Sequence, residues 1–248
     1  MNGFGFIRVA HRGSSGTCPE NTRTAIEKAV ESGVDMVEID CQLSKDGHVV
    51  IFHDERLART ARAKGHVRSK TLKELQKLDI GAWFKKSFKG EHILTLEEVL
   101  DIVDGRADIN IDIKGDPQGS LGIELKLLFI LSHYDYLERT VFSAFDHRVL
   151  RRVRELAPDT RIGILHGREN KENPFQLARE LGAESLHIQK ELATPPVVER
   201  SAQIGLKTLV WTVNEVSEME KFLKLGVDGL FSDYPEKFWK LRQKRSAE

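Results

Sequence analysis

Apolar and β-branched residues fall into short runs along the chain: GFIRVAH (5–11), DMVEIDCQL (35–43), DINIDIK (108–114), TVFSAF (140–145), RIGILH (161–166), SLHIQ (185–189), TLVWTVN (208–214) and DGLFSD (228–233). Runs of this length suit buried strands. Between most of them lie segments with helical spacing of apolar positions, among them ENTRTAIEKAVESG, TLEEVLDIVDG, DHRVLRRVRELAP and EVSEMEKFLKLG. Gly closes several of these, as a helix C-terminus favours. Eight strands alternating with helices, ending in PEKFWKLRQK, predict an α/β fold, a (β/α)8 TIM-like barrel. A doubly wound open sheet is the alternative, but eight units in 248 residues favour closure. One interval breaks the rhythm: residues 44–95 hold a turn (KDGH), a strand-like VVIFHD and the helical TLKELQKLD. So long a gap between the second and third strands predicts a small insertion on a single barrel domain spanning 1–248.

Composition adds mainly exclusions. Lys plus Arg and Asp plus Glu both total 38, so no net positive field points to nucleic acid as a partner. Two cysteines, Cys18 and Cys41, make no disulfide framework and fit a reducing, cytoplasmic setting. The start MNGFGFIRVAHRG lacks the pattern of a signal peptide. No apolar run reaches the ~20 residues of a membrane helix, so no stable membrane insertion is expected. The oligomeric state is not legible.

The chemistry gathers at strand ends, where barrel enzymes place reactive groups. The first run ends on His11-Arg12, and the second carries Glu38 and Asp40 at the i, i+2 spacing that puts both on one face. The third repeats that spacing with Asp112 and Lys114, and His53-Asp54 ends the strand inside the insertion. Trp211 and Asn214 stand in the seventh run and Asp233 ends the eighth. Three converging carboxylates repel one another without a cation. Either a hard divalent ion takes them as oxygen ligands, or Arg12 and Lys114 pair with them in a structural network. His11 and His53, facing one mouth, suit a base and an acid near neutrality. Arg12 and Lys114 suit an anionic substrate. Together these groups describe a phosphoester hydrolase.

HRGSSGTCPENT, VEIDCQLSKDGHVVIFHDERLART, LTLEEVL, INIDIK, VFSAF, VWTVN and GLFSDYP resemble the ordered motifs of the glycerophosphodiester phosphodiesterase family, from His11 to Pro235. The resemblance implies a TIM-like barrel with an insertion after the second strand. It implies His11 and His53 as the catalytic pair, and Glu38, Asp40 and Asp112 as ligands of a divalent metal, Mg²⁺, Ca²⁺ or Mn²⁺. It gives Arg12 and Lys114 to the substrate phosphate and Trp211 to the pocket near the alcohol. The family's third acid is usually Glu, so Asp112 is a departure that bears on metal geometry. The implied partner is a small glycerophosphodiester, cleaved to glycerol 3-phosphate and an alcohol, with His11 activating the nucleophile and His53 protonating the alcohol. Lysophospholipase D-like activity and a non-catalytic barrel that binds metal and phosphate remain as rivals. The basic run RTARAKGHVRSK (59–70) and the mixed WFKKSFKG (83–90) are read as solvated lysines over packed aromatics. LGIELKLLFIL is read as a core-facing helix and RQKRSAE as a frayed helix end.

Overall fold

The structure, a computed structural model, describes residues 5–114 and 122–245. Nine strands form one sheet: β1 (Ile7–Ala10), β2 (Met36–Leu43), β3 (Val49–Ile51), β4 (Asp108–Ile113), β5 (Thr140–Ser143), β6 (Arg161–His166), β7 (Ser185–Gln189), β8 (Lys207–Trp211) and β9 (Gly229–Ser232). The order runs β1-β9-β8-β7-β6-β5-β4-β2, and a further β1–β2 pairing closes the ring. All eight ring strands pair in parallel, so the barrel expected from the alternation is the one observed. β3 is the exception, lying antiparallel on the outer stretch of β2 with Cys41 opposite Ile51.

Helices α1 (Arg23–Glu31), α2 (Leu72–Leu75), α3 (Leu96–Val103), α4 (Ile123–His133), α5 (His147–Leu156), α6 (Pro174–Leu181), α7 (Pro195–Gln203), α8 (Val216–Leu225) and α9 (Phe238–Arg245) occupy the intervals. Their ends follow local chemistry. Thr95 accepts from the Glu98 N–H while Glu98 accepts from the Thr95 N–H, a reciprocal cap that starts α3. Gly182 and Gly226 stop α6 and α8 in the left-handed region that glycine enters without a Cβ clash. One expectation is corrected at α4. The helix buries Ile123, Leu127 and Leu131, but Leu125 and Phe129 stand 55% and 73% exposed, so it is not wholly core-facing. Its leading Leu121, and the last three residues of RQKRSAE, lie outside the described residues. No described helix is long and apolar enough to cross a membrane.

The segment between β2 and β4 carries β3, α2 and two 3₁₀ turns, Val67–Ser69 and Lys86–Phe88. Val50, Phe52, Leu57, Val67, Leu75, Ile80 and Ile93 form a buried apolar cluster of its own, apart from the barrel's main core. Trp83, Phe84 and Phe88 are half-buried and meet edge to face, whereas Lys85, Lys86 and Lys89 are exposed. This is the packed-aromatic reading of WFKKSFKG.

A histidine is buried inside the barrel away from the acids described below. His187 on β7 is fully buried, its ring packed edge-on against Phe231 and its Nε2 2.9 Å from Ser185 Oγ. Gly163 on the neighbouring β6 makes room for it: a Cβ there would stand 2.5 Å from the imidazole. Burial alone pushes His187 down to about 3. A histidine held neutral in this way contributes fully only above its unfolded value near 6.5, and the contribution is lost as pH falls from there toward 3. Between pH 7 and about pH 4.5 this one group is expected to remove roughly 2–3 kcal/mol of stability. His187→Gln, which does not titrate, should show a smaller loss over that interval by about that amount in urea-unfolding midpoints. An identical pH dependence in both proteins would show that His187 does not set it.

Candidate active site at the barrel mouth

The strand register assembles the acids. In the β2–β4 pairing Glu38 stands beside Asn110 and Asp40 beside Asp112, and Asp112 in turn stands beside Ser143 of β5. Like charges directly across a strand pair are destabilising, so Asp40 and Asp112 need a cation. Lys114, at the end of β4, supplies one: Nζ lies 2.7 Å from Asp40 Oδ1 and 2.5 Å from Asp112 Oδ2. Arg12 Nε lies 3.4 Å from Asp40 Oδ2, and that oxygen accepts from Asn21 Nδ2 at 2.7 Å. The Arg12 backbone is in the left-handed region at φ 56°, and its N–H donates to Glu38 Oε2 at 2.7 Å.

This pairing is incomplete. Glu38, Asp40 and Asp112 are all buried, and each offers an oxygen within 4.8 Å of the others'. Asp112 Oδ1 and Asp40 Oδ1 are buried without an aligned hydrogen-bond donor. Burial, and then the charge of Asp40, push Glu38 up to about 7. Burial also raises Asp112. For Asp40 burial acts in the same direction, but Lys114 and Arg12 override it and hold the carboxylate low. Two cations thus leave a third acid unsatisfied. The donor set is all oxygen and anionic, which fits a hard divalent ion.

Two histidines flank the acids, each tethered by an aspartate. His11 Nδ1–H donates to Asp233 Oδ1 at 2.6 Å. Asp233 is steadied further by Ser15 Oγ at 3.0 Å and Asn214 Nδ2 at 2.6 Å. Against the effect of burial, these donors and the nearby histidine hold Asp233 down at about 2. His53 Nδ1–H donates to Asp54 Oδ1 at 2.7 Å. Carboxylates only accept, so in both rings Nδ1 carries the proton and Nε2 is the nitrogen left for other chemistry. Burial, offset by Asp40 and reinforced by Lys114 and Arg12, lowers the His53 pKa. The chain after β3 is pinned to β2: the Phe52 N–H donates to Asp40 O at 2.9 Å, and Gln42 Nε2 donates to Phe52 O and Asp54 O at 2.6 and 2.9 Å.

The eight residues given site roles from the sequence, His11, Arg12, Glu38, Asp40, His53, Asp112, Lys114 and Trp211, line one cleft. The same cleft has an apolar part, where Trp211 meets Phe145 edge to face at 5.7 Å and Leu165 and Phe231 join the lining. The alternation does not single out Glu20, Asn21, Arg59, Ser143 or Phe145. The PENT stretch held a usable signal for two of them: Thr22 accepts from the Ala25 N–H as the cap of α1, and a polar pair just before a cap at the mouth is well placed to serve the site. Asn110 shares the two-residue spacing of Asp112 and Lys114 and was legible on that ground.

The chain belongs to the glycerophosphoryl diester phosphodiesterase family, whose family model matches residues 11–237. It is 42% identical to a glycerophosphodiester phosphodiesterase of Caldanaerobacter subterraneus over 92% of this chain and 94% of that protein. Among solved structures it is similar to an Oleispira antarctica phosphodiesterase in complex with the product sn-glycerol-3-phosphate, with a TM-score of 0.87 and 31% identity, covering 96% of this chain and 97% of the other. A glycerophosphodiester phosphodiesterase of Thermotoga maritima is also 31% identical, with a TM-score of 0.77, over 95% and 98% of the two chains.

Proposed function

We propose that the protein hydrolyses glycerophosphodiesters to glycerol 3-phosphate and an alcohol, with a divalent metal and a histidine acid–base pair. The observation that carries this reading is the pair of aspartate-tethered histidines flanking an under-neutralised acid trio. Arg12 and Lys114 hold the diester's phosphate, and the Trp211–Phe145 wall takes the alcohol side. His11 Nε2 removes the proton of the attacking oxygen as it bonds to phosphorus; where that oxygen is the neighbouring glycerol hydroxyl rather than water, the product is a cyclic phosphate that a water then opens to glycerol 3-phosphate. The bond from phosphorus to the alcohol oxygen breaks, and His53 Nε2 returns a proton to that oxygen. Glu38, Asp40 and Asp112 would hold Mg²⁺, Ca²⁺ or Mn²⁺, which when bound supplies Lewis-acid charge at the phosphoryl oxygens. We read residues 1–248 as one barrel domain with an insertion at about 44–95, working in the cytoplasm. Cys18 and Cys41, buried and unbridged, support the reducing setting.

The test is a metal-supplemented screen of glycerophosphodiesters, with released glycerol 3-phosphate followed by a coupled dehydrogenase, and of lysophospholipids, with the released headgroup alcohol measured directly. Turnover is expected to vanish in EDTA and return with a divalent ion. Full activity in a rigorously metal-free preparation would remove the metal from this reading. Faster release of a headgroup from lysophospholipids would shift the substrate class to lipids.

A further inference from the structure

The His53–Asp54 pair does not stand on the barrel. It follows β3, in the segment with its own apolar cluster. Arg12 follows β1, and the acids sit on β2 and β4. A group that must deliver a proton to one oxygen of a bound diester needs its place fixed to a fraction of an ångström. The backbone bonds to β2 fix the strand end, but they do not fix the carboxylate that aims the ring.

A side-chain path does. Arg59 Nε and Nη2 donate to the two oxygens of Asp54 at 2.7 and 3.0 Å. The same guanidinium donates through Nη1 and Nη2 to the two oxygens of Glu20, both at 2.7 Å. Glu20 Oε1 also accepts from Arg12 Nη1 at 3.0 Å. The path therefore runs unbroken from His53 through Asp54, Arg59 and Glu20 to Arg12, joining residues of the inserted segment to the loop before α1. Arg59 is 42% exposed and Glu20 only 14%. An ion pair exposed on one side adds little stability. A planar fork gripping two carboxylates at once fixes geometry instead, which a lysine cannot reproduce.

We propose that Arg59 and Glu20 are positioning residues, a charged clamp that holds the His53–Asp54 pair of the inserted segment at a set distance from Arg12. His53 then meets the leaving oxygen of a diester whose phosphate Arg12 grips. The proposal rests on the reading of His53 as the acid given above. Nothing in the clamp touches substrate, so its loss shows in the step that needs the acid.

The experiment compares Arg59→Gln, Arg59→Lys and Glu20→Gln with the wild type, at saturating metal, on an alkyl glycerophosphodiester and on an aryl phosphodiester. Arg59→Gln is expected to lower kcat on the alkyl substrate by roughly 10- to 100-fold, part of what a general acid supplies, and to leave the aryl substrate within about threefold. Arg59→Lys, keeping the charge without the fork, should fall between. Glu20→Gln should show the same substrate selectivity with a raised KM, because Arg12 loses a partner. Should Arg59→Gln not fold, the other two variants carry the comparison. Equal losses on both substrates, or an unchanged alkyl kcat, would overturn the clamp while wild-type turnover stands. A wild type that releases no glycerol 3-phosphate would overturn the reading of the site, and the clamp with it.

Discussion

Replacing His53 with alanine is expected to lower turnover of glycerophosphodiesters with alkyl alcohols by roughly 10²- to 10⁴-fold, the range a general acid supplies. An aryl phosphodiester should lose far less, because a phenolate leaves without help. His11→Ala should impair both substrates, since the attacking oxygen must lose its proton whatever departs. The two rings are held separately, one tethered by Asp233 and the other by Asp54, so each can be removed without freeing the other. Burial lowers the His53 pKa. An anionic diester beside it favours the protonated ring. Steady-state kcat on the two substrates decides the matter: matching losses for His53→Ala would remove the division of labour.

Asp112→Asn is expected to raise the metal concentration for half-maximal activity by roughly 10- to 100-fold, the scale on which groups supporting a metal site act. Its Oδ2 is taken by Lys114, whereas Oδ1 is buried with no donor. An oxygen stranded in that way is costly unless a cation takes it. The amide removes the charge and introduces a donor where an acceptor is required. Asp112→Glu keeps the charge and adds one methylene, so it should keep substantial activity with a changed preference between Mg²⁺ and Ca²⁺, whose oxygen distances differ by a few tenths of an ångström. Titrating Mg²⁺ and Ca²⁺ into metal-stripped wild type and both variants is the check. An unchanged half-saturation in Asp112→Asn would leave this carboxylate as a counter-ion of Lys114 alone.

How far the sequence carried the structure depends on the range of each signal. Strand runs and helix caps are local, so apolar runs such as RIGILH and the Thr95–Glu98 cap could be read directly. The two-residue spacing of Glu38 with Asp40 and of Asp112 with Lys114 places each pair on one face without reference to the rest of the fold. Register is different. That Asp40 lies beside Asp112, with Lys114 spanning both, depends on how strands far apart in the chain slide together. The aspartate behind His11 is 222 residues away, and the glutamate gripped by Arg59 is 39 away. Asp233 could be named as a strand end but not as the tether of that ring. Leu125 and Phe129 show the limit for burial: apolar character marks what can be covered, and the packing of α4 leaves these two outside.

The closed ring has a consequence for association between copies of the chain. Every ring strand is hydrogen-bonded on both sides, so none offers the bare row of N–H and C=O groups on which another chain could add a strand. Among the described residues β3 is the strand outside the ring. Its outer side is already engaged, with Val50 bridged to Thr95 and the Ile51 N–H donating to Leu94 O. Among the described residues no flat strand edge is left as a template for fibrous aggregation. Contact between copies is left, among those residues, to helix faces and loops, and the mouth that holds the acids is shielded from edge-to-edge stacking by the closure that created it.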